Sequence, residues 1–92
     1  MFIVLLTYKK PLAAVDKYLR LHVEYLKEQY KLGNFIVSGR KVPRTGGVIL
    51  SQITDRNTLD KVIAKDPFKL SDIADYEIIE FIPSMSHEDW VF

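Results

Sequence analysis

Phe2–Tyr8 reads FIVLLTY, a run of β-branched, aromatic and aliphatic side chains broken by one threonine. A strand with one wet face alternates apolar with polar residues. This one is apolar at almost every position, as in a strand covered on both faces. Lys9, Lys10 and Pro11 end it, and Pro11 suits the first turn of a helix, where a missing N–H costs nothing. The period then changes. Leu12, Val15, Leu19, His22, Val23, Leu26 and Tyr30 recur at helical steps, predicting a helix over residues 12–32 with one apolar stripe. Asp16, Lys17, Arg20, Glu24, Lys27, Glu28 and Lys31 fill the opposite side, with Glu24 and Glu28 in pairing range of Lys27 and Lys31. Gly33 follows as the stop.

Residues 34–42 (NFIVSGRKV) read as a second strand, with Phe35, Val37 and Gly39 on one side and Ile36, Ser38 and Arg40 on the other. The turn Pro43-Arg44-Thr45-Gly46-Gly47 leads to a third strand over residues 48–54 (VILSQIT), so the two should form a hairpin. Thr54 or Asp55 is placed to cap a second helix, whose apolar stripe is Leu59, Val62 and Ile63. Asp66-Pro67 breaks that helix and starts a single further turn, with Asp66 as its cap. Residues 76–82 (YEIIEFI) are the last strand, stopped by Pro83. The order is β-α-β-β-α-β, which predicts an α+β, ferredoxin-like fold: a four-stranded antiparallel sheet with both helices on one face. We expect one domain over residues 1–92, with a tail at residues 84–92.

Two helices cover one sheet face only. Phe2, Val4 and Leu6 alternate with Ile3 and Leu5, and Ile79 and Phe81 with Ile78 and Ile82, so the second face is apolar too. Such a face exceeds the few hundred Å² of apolar patch that monomers usually expose. A second copy packed sheet to sheet would cover it, so we expect a homodimer with a barrel-like interior, or a larger assembly built from it. The alternative is that the tail, ending in Trp90-Val91-Phe92, folds back over the face.

Composition removes several function classes. Among 92 residues there are 13 basic and 12 acidic side chains, a net charge of +1, too balanced for a nucleic-acid binder. No cysteine is present, which excludes a disulfide framework, a thiolate metal site and a cysteine nucleophile. The apolar start lacks the charged region of a signal peptide, and no run approaches the roughly 20 apolar residues of a membrane span. We therefore expect a cytoplasmic protein without a membrane partner.

His22 lies within the apolar stripe of the first helix, between Leu19 and Leu26, where helix propensity does not ask for imidazole. A half-buried His serves as acid or base; its alternative is a core histidine bonded to a backbone carbonyl. Asp66 continues the Leu59, Val62, Ile63 stripe, so its carboxylate would face the same interior, although Asp before Pro is also an ordinary cap. Together the two would form an acid-base pair, the carboxylate fixing the imidazole tautomer. Ser38 and Arg40 share a strand face, with Gly39 between them, and Arg40 would clamp a carboxylate on a small substrate or simply be a solvated strand end. His87 stands beside Glu88 and Asp89 without a second His nearby, so no metal site is expected there.

His22 in HVEYL, the segment Phe35-Ile36-Val37-Ser38-Gly39-Arg40, Gly46-Gly47-Val48-Ile49-Leu50, Asp66-Pro67-Phe68 and Tyr76-Glu77-Ile78-Ile79-Glu80-Phe81 together resemble the YCII-related (YciI-like) family. The resemblance covers nearly the whole chain. It implies a ferredoxin-like subunit in a dimeric α+β barrel, and a His–Asp pair formed by His22 and the Asp66 of the Asp-Pro-Phe motif. It places Ser38 in the family's Ser-Gly segment and adds Phe68, beside Ser38 and Arg40, as a substrate-binding residue. Arg40 stands where many members carry Pro. One branch resembles a dehydrochlorinase of a chlorinated hydroxyquinol.

The expected function is that of a small, cofactor-independent enzyme of lyase or isomerase type. His22 and Asp66 would move a proton on a cyclic or aromatic substrate, and replacing either by Ala should abolish turnover with the fold intact. The alternative is a non-catalytic small-molecule-binding or assembly module on the same barrel.

Overall fold

The computed structural model describes residues 1–90 of the chain. Strand β1 (Phe2–Tyr8) is followed by α1 (Leu12–Lys31), β2 (Phe35–Arg40), β3 (Gly46–Ser51), α2 (Arg56–Ile63), α3 (Pro67–Leu70) and β4 (Ala74–Glu80). The strands form one antiparallel sheet in the order β2-β3-β1-β4. The fold is thus the ferredoxin-like α+β arrangement expected from the sequence, with α3 as the extra single turn. Among the described residues no helix is long and apolar enough to cross a membrane.

Pairing explains why strand limits move. The last strand ends at Glu80 rather than residue 82 because Glu80 already pairs with Phe2, the first residue of β1. Phe81 then exchanges two bonds with Met1: its N–H donates to the Met1 carbonyl and its carbonyl accepts from the Met1 amino group, each at 3.0 Å. At the other end β4 begins at Ala74, since Tyr8 remains to be paired there. The third strand starts two residues earlier than predicted, at Gly46, and ends at Ser51. A side chain at Gly46 would overlap the Leu6 carbonyl, so the close approach of β3 to β1 requires glycine there.

The larger correction concerns β2. Simple alternation put Phe35 opposite Ser38 and Arg40, but the register shifts between Phe35 and Val37. Phe35 pairs with Ser51 and Ser38 with Ile49, so the extra residue, Ile36, is a bulge. Ser51 and Ile49 in turn pair with Phe2 and Val4. Phe35, Ser38 and Arg40 therefore share the helix-covered face, while Val37 and Gly39 point to the other.

Phe2, Val4 and Leu6 of β1 pack with Val15 of α1, Leu59 and Ile63 of α2 and Phe68 of α3 in one core. Pro11 is the N-cap of α1, one position before the expected first turn, and its carbonyl accepts the N–H groups of Ala14 and Val15. Gly33 closes the helix at φ 75°, a conformation that favours glycine. The buried stripe is narrower than the sequence pattern: Leu12, Val23 and Tyr30 are exposed, whereas Gln29 is buried, accepting from the Asn34 side-chain amide. The ion pairs formed by its charged residues are Arg20–Glu24 within the helix and Asp16–Arg44 to the β2–β3 turn, not the expected Glu–Lys pairs.

On the face away from the helices, Val37, Leu50, Ile3 and Ile79 lie in one row across all four strands. Val37 is 54% exposed and Ile79 44%. The tail as far as Trp90 leaves these residues open; Val91 and Phe92, named above with it, lie outside the described residues.

Candidate functional site

His22 and Asp66 meet although 44 positions separate them. Helix α1 presents His22 on the stripe that faces the core, while Asp66 sits at the N-cap of α3, beyond the end of α2 rather than within it. Pro67 at the first helical position leaves the next free N–H, that of Phe68, to the Asp66 side chain at 2.9 Å. The cap geometry holds Oδ1 in place, and the same oxygen lies 2.8 Å from Nδ1 of His22. A carboxylate only accepts, so against it Nδ1–H is the donor, and the neutral imidazole of that tautomer has its lone pair on Nε2. His22 is thus bonded to a carboxylate, not to a backbone carbonyl.

Both side chains are withdrawn from solvent: His22 is 8% exposed and Asp66 1%. A buried carboxylate is tolerated only when its lone pairs are met. Asp66 has three donors, the third being the Tyr76 hydroxyl at 2.6 Å from Oδ2. Burial, followed by the Asp66 charge, pushes the Tyr76 phenol well above its ordinary value near 10, so it stays a donor. Tyr25 is raised by the same two causes in the same order, and its hydroxyl donates to the Val62 carbonyl at 2.8 Å. Phe68 lies flat against the imidazole, with ring centroids 4.0 Å apart and planes 7° from parallel.

One side of His22 opens on a cavity of about 170 Å³ between α1 and strands β1, β3 and β2. Its walls are mostly apolar, among them Leu6, Leu19, Leu26 and Phe68. His22 Nε2 has no hydrogen-bond partner among the described residues, and no buried side-chain polar atom there lacks one, so Nε2 faces open space. Ser38 and Arg40 line the same cavity, brought to its side by the bulge. The structure therefore gathers all five singled-out residues, His22, Asp66, Ser38, Arg40 and Phe68, with Asp66 behind His22 rather than in the wall.

Sequence reading missed Tyr76. It was counted as a strand residue, and its pairing with Leu6, which turns it toward the core, shows only in the register. Tyr30, whose hydroxyl bonds the Ser38 hydroxyl, was also counted only as part of the stripe. Gly39, between Ser38 and Arg40, also lines the cavity, and an added Cβ there would meet nothing within 4 Å. Among the described residues no three His, Asp or Glu side chains gather in metal-binding range.

Comparison with curated proteins finds no match. Among solved structures the chain is similar to 5-chloro-2-hydroxyhydroquinone dehydrochlorinase (TftG) from Burkholderia phenoliruptrix, in complex with 2,5-dihydroxybenzoquinone. The TM-score is 0.74 at 14% identity, covering 91% of this chain and 96% of that one, a likeness of fold. The family model for the YCII-related domain matches residues 1–82, and the chain belongs to that family.

Proposed function

We propose that the chain is a small enzyme of lyase or isomerase type, in which His22 moves a proton on a single-ring substrate. The observation that carries this reading is the 2.8 Å bond from His22 Nδ1 to Asp66, which leaves Nε2 unbonded on a ring that lines the cavity. Asp66 fixes the tautomer, so the free lone pair on Nε2 is the base. When Nε2 takes a proton, the positive charge on the ring lies against the Asp66 carboxylate. The proton is then returned to another atom of the substrate, or stays while a leaving group departs.

The cavity volume fits one ring, since about 150 Å³ of apolar cavity accommodates a benzene. Phe68 and the leucines would contact its faces, while Ser38 and Arg40 orient its polar groups. Proton transfer of this kind is within reach of the side chains themselves and calls for no cofactor. Similarity of fold to a dehydrochlorinase supports an enzyme-like reading.

The test is chloride release from 5-chloro-2-hydroxyhydroquinone and related single-ring compounds by wild type, His22→Ala and Asp66→Asn. General acid-base catalysis contributes about 100-fold or more, and a loss of at least that size is expected in His22→Ala. Turnover unchanged in both variants would remove the pair from the mechanism and leave the non-catalytic binding or assembly module.

We further propose that two copies pack through the open apolar sheet face. The row Val37, Leu50, Ile3, Ile79 supports this, because a second copy supplies the same row in return.

A further inference from the structure

The wall of the cavity beside His22 is uneven in charge. Of the side chains that line it, Arg40 alone carries a permanent charge, and no Asp or Glu is among them. Asp66 is shielded behind the imidazole, its three donors already in place. Among the described residues no carboxylate lies within 4.0 Å of the Arg40 guanidinium, whereas Arg20, Arg44 and Arg56 each have an acidic partner. Guanidinium pairs carboxylates and phenolates well through its fork of N–H groups, and Arg40 has that fork unspent.

A second donor stands beside it. Ser38 lies two residues away on the same strand face, and its hydroxyl is bonded to the Tyr30 hydroxyl. Either hydroxyl can be the donor in that bond; with Tyr30 donating, Ser38 keeps its own proton to give. One wall thus offers a cation and a hydroxyl donor, while the remainder is hydrocarbon and aromatic ring, Tyr8 and Phe68 among it, with the imidazole of His22. A ring with an amine would meet Arg40 as a like charge. A neutral ring would gain no charge-assisted bond from the guanidinium, which would stay hydrated.

We infer that this cavity selects single-ring compounds bearing a negative charge, and that Arg40, assisted by Ser38, is the residue that reads the charge. The inference rests on the site proposed above and names its substrate class. The anion is a ring carboxylate or a ring phenolate. One ring fills the cavity, so a compound held by its anion at Arg40 also touches the wall that contains His22.

Binding, not turnover, tests this. Benzoate, its neutral counterpart benzamide and 4-nitrophenolate are titrated calorimetrically into wild type, Arg40→Gln and Ser38→Ala at low salt. Arg40 is exposed, so its replacement leaves the core untouched, and benzamide binding reports that the cavity is intact. Wild type should bind benzoate or 4-nitrophenolate at least about tenfold more tightly than benzamide, and whichever anion binds better identifies the source of the charge. In Arg40→Gln that ratio should fall to near one with benzamide unchanged, and in Ser38→Ala it should shrink in part. Equal affinity for benzoate, 4-nitrophenolate and benzamide, no binding of either anion, or a preference that survives Arg40→Gln overturns the inference. Such a result leaves a His22-dependent turnover standing. Arg40-dependent anion binding without His22-dependent turnover does the reverse.

Discussion

The Tyr76 hydroxyl donates to Oδ2 of Asp66 at 2.6 Å, the carboxylate oxygen that His22 does not use. Strand β4 supplies this donor, α1 supplies His22 and the start of α3 supplies the carboxylate. Three separate elements therefore converge on one buried charge. Removing the hydroxyl leaves Oδ2 without a donor in a site that water barely reaches. Tyr76→Phe should lower the unfolding free energy by about 2 kcal/mol, the usual range for a hydrogen bond to a charged group. Urea unfolding of the two proteins measures it; a loss below about 0.5 kcal/mol would mean that Asp66 draws its stability elsewhere.

The burial of Tyr76 beside Asp66 also sets an alkaline limit. The Tyr76 phenol is raised in the folded chain by burial and by the Asp66 charge, so folding favours its protonated form. Below the ordinary tyrosine pKa, near 10, folded and unfolded chains both hold the proton and stability does not depend on it. Above it the unfolded chain loses the proton while the folded chain keeps it, and stability falls by up to about 1.4 kcal/mol per pH unit. Wild type should therefore lose melting temperature steadily above pH 10, and the fall should be shallower in Tyr76→Phe. Tyr25, raised for the same reasons, and Lys9, raised by its hydrogen bond to Asp72, contribute to the slope that remains.

How far the site was legible follows from the kind of signal each residue leaves. His22 shows because imidazole interrupts an otherwise apolar stripe, and Asp66 because Asp-Pro both stops a helix and starts one. Their spacing along the chain carries no information about contact; only the packing of α1 against α3 brings them together. The element order was legible for a similar reason, since the change from apolar runs to helical steps is local. Strand faces were not. The bulge at Ile36 turns Phe35 to the side of Ser38 and Arg40, and no local pattern in FIVSGR announces it. Tyr76 was invisible as a site residue because its role depends on register with Leu6, a pairing across almost the whole chain.

Asp66 cannot be treated as a catalytic group alone, which changes how it is tested. Its side chain caps α3 through the Phe68 N–H as well as holding His22 and Tyr76. Asp66→Ala strips all three donors of their acceptor at once, a loss of about 3–5 kcal/mol by comparison with other broken buried pairs. Small domains have about 5–15 kcal/mol in total, so this variant should melt far below wild type. The expectation that Ala at position 66 leaves the fold intact is therefore replaced. Asp66→Asn keeps an acceptor for the Phe68 N–H and presents an amide to the Tyr76 oxygen, and it should cost about 1–2 kcal/mol. Thermal melts of both variants check the order; an Ala variant as stable as the Asn variant would show that the cap and network matter little.

The open sheet face gives the last prediction. Ile79 is 44% exposed at one end of a row that runs through Ile3 and Leu50 to Val37. Nothing in the helix-side core depends on it, because its side chain points away from Phe2, Val4 and Leu6. A charge there should leave the folded subunit intact while opposing the burial of the same face in a partner. In a two-fold dimer each substitution counts twice, so Ile79→Lys places two unpaired ammonium groups in one apolar interface. Wild type should sediment as a dimer or a larger assembly at micromolar concentration, and Ile79→Lys as a monomer with an unchanged far-UV spectrum. Wild type that sediments as a monomer would leave the row facing water and refute the sheet-to-sheet pairing. A variant that still dimerises would move the interface elsewhere on the surface, since Lys at that position is incompatible with a closed apolar contact.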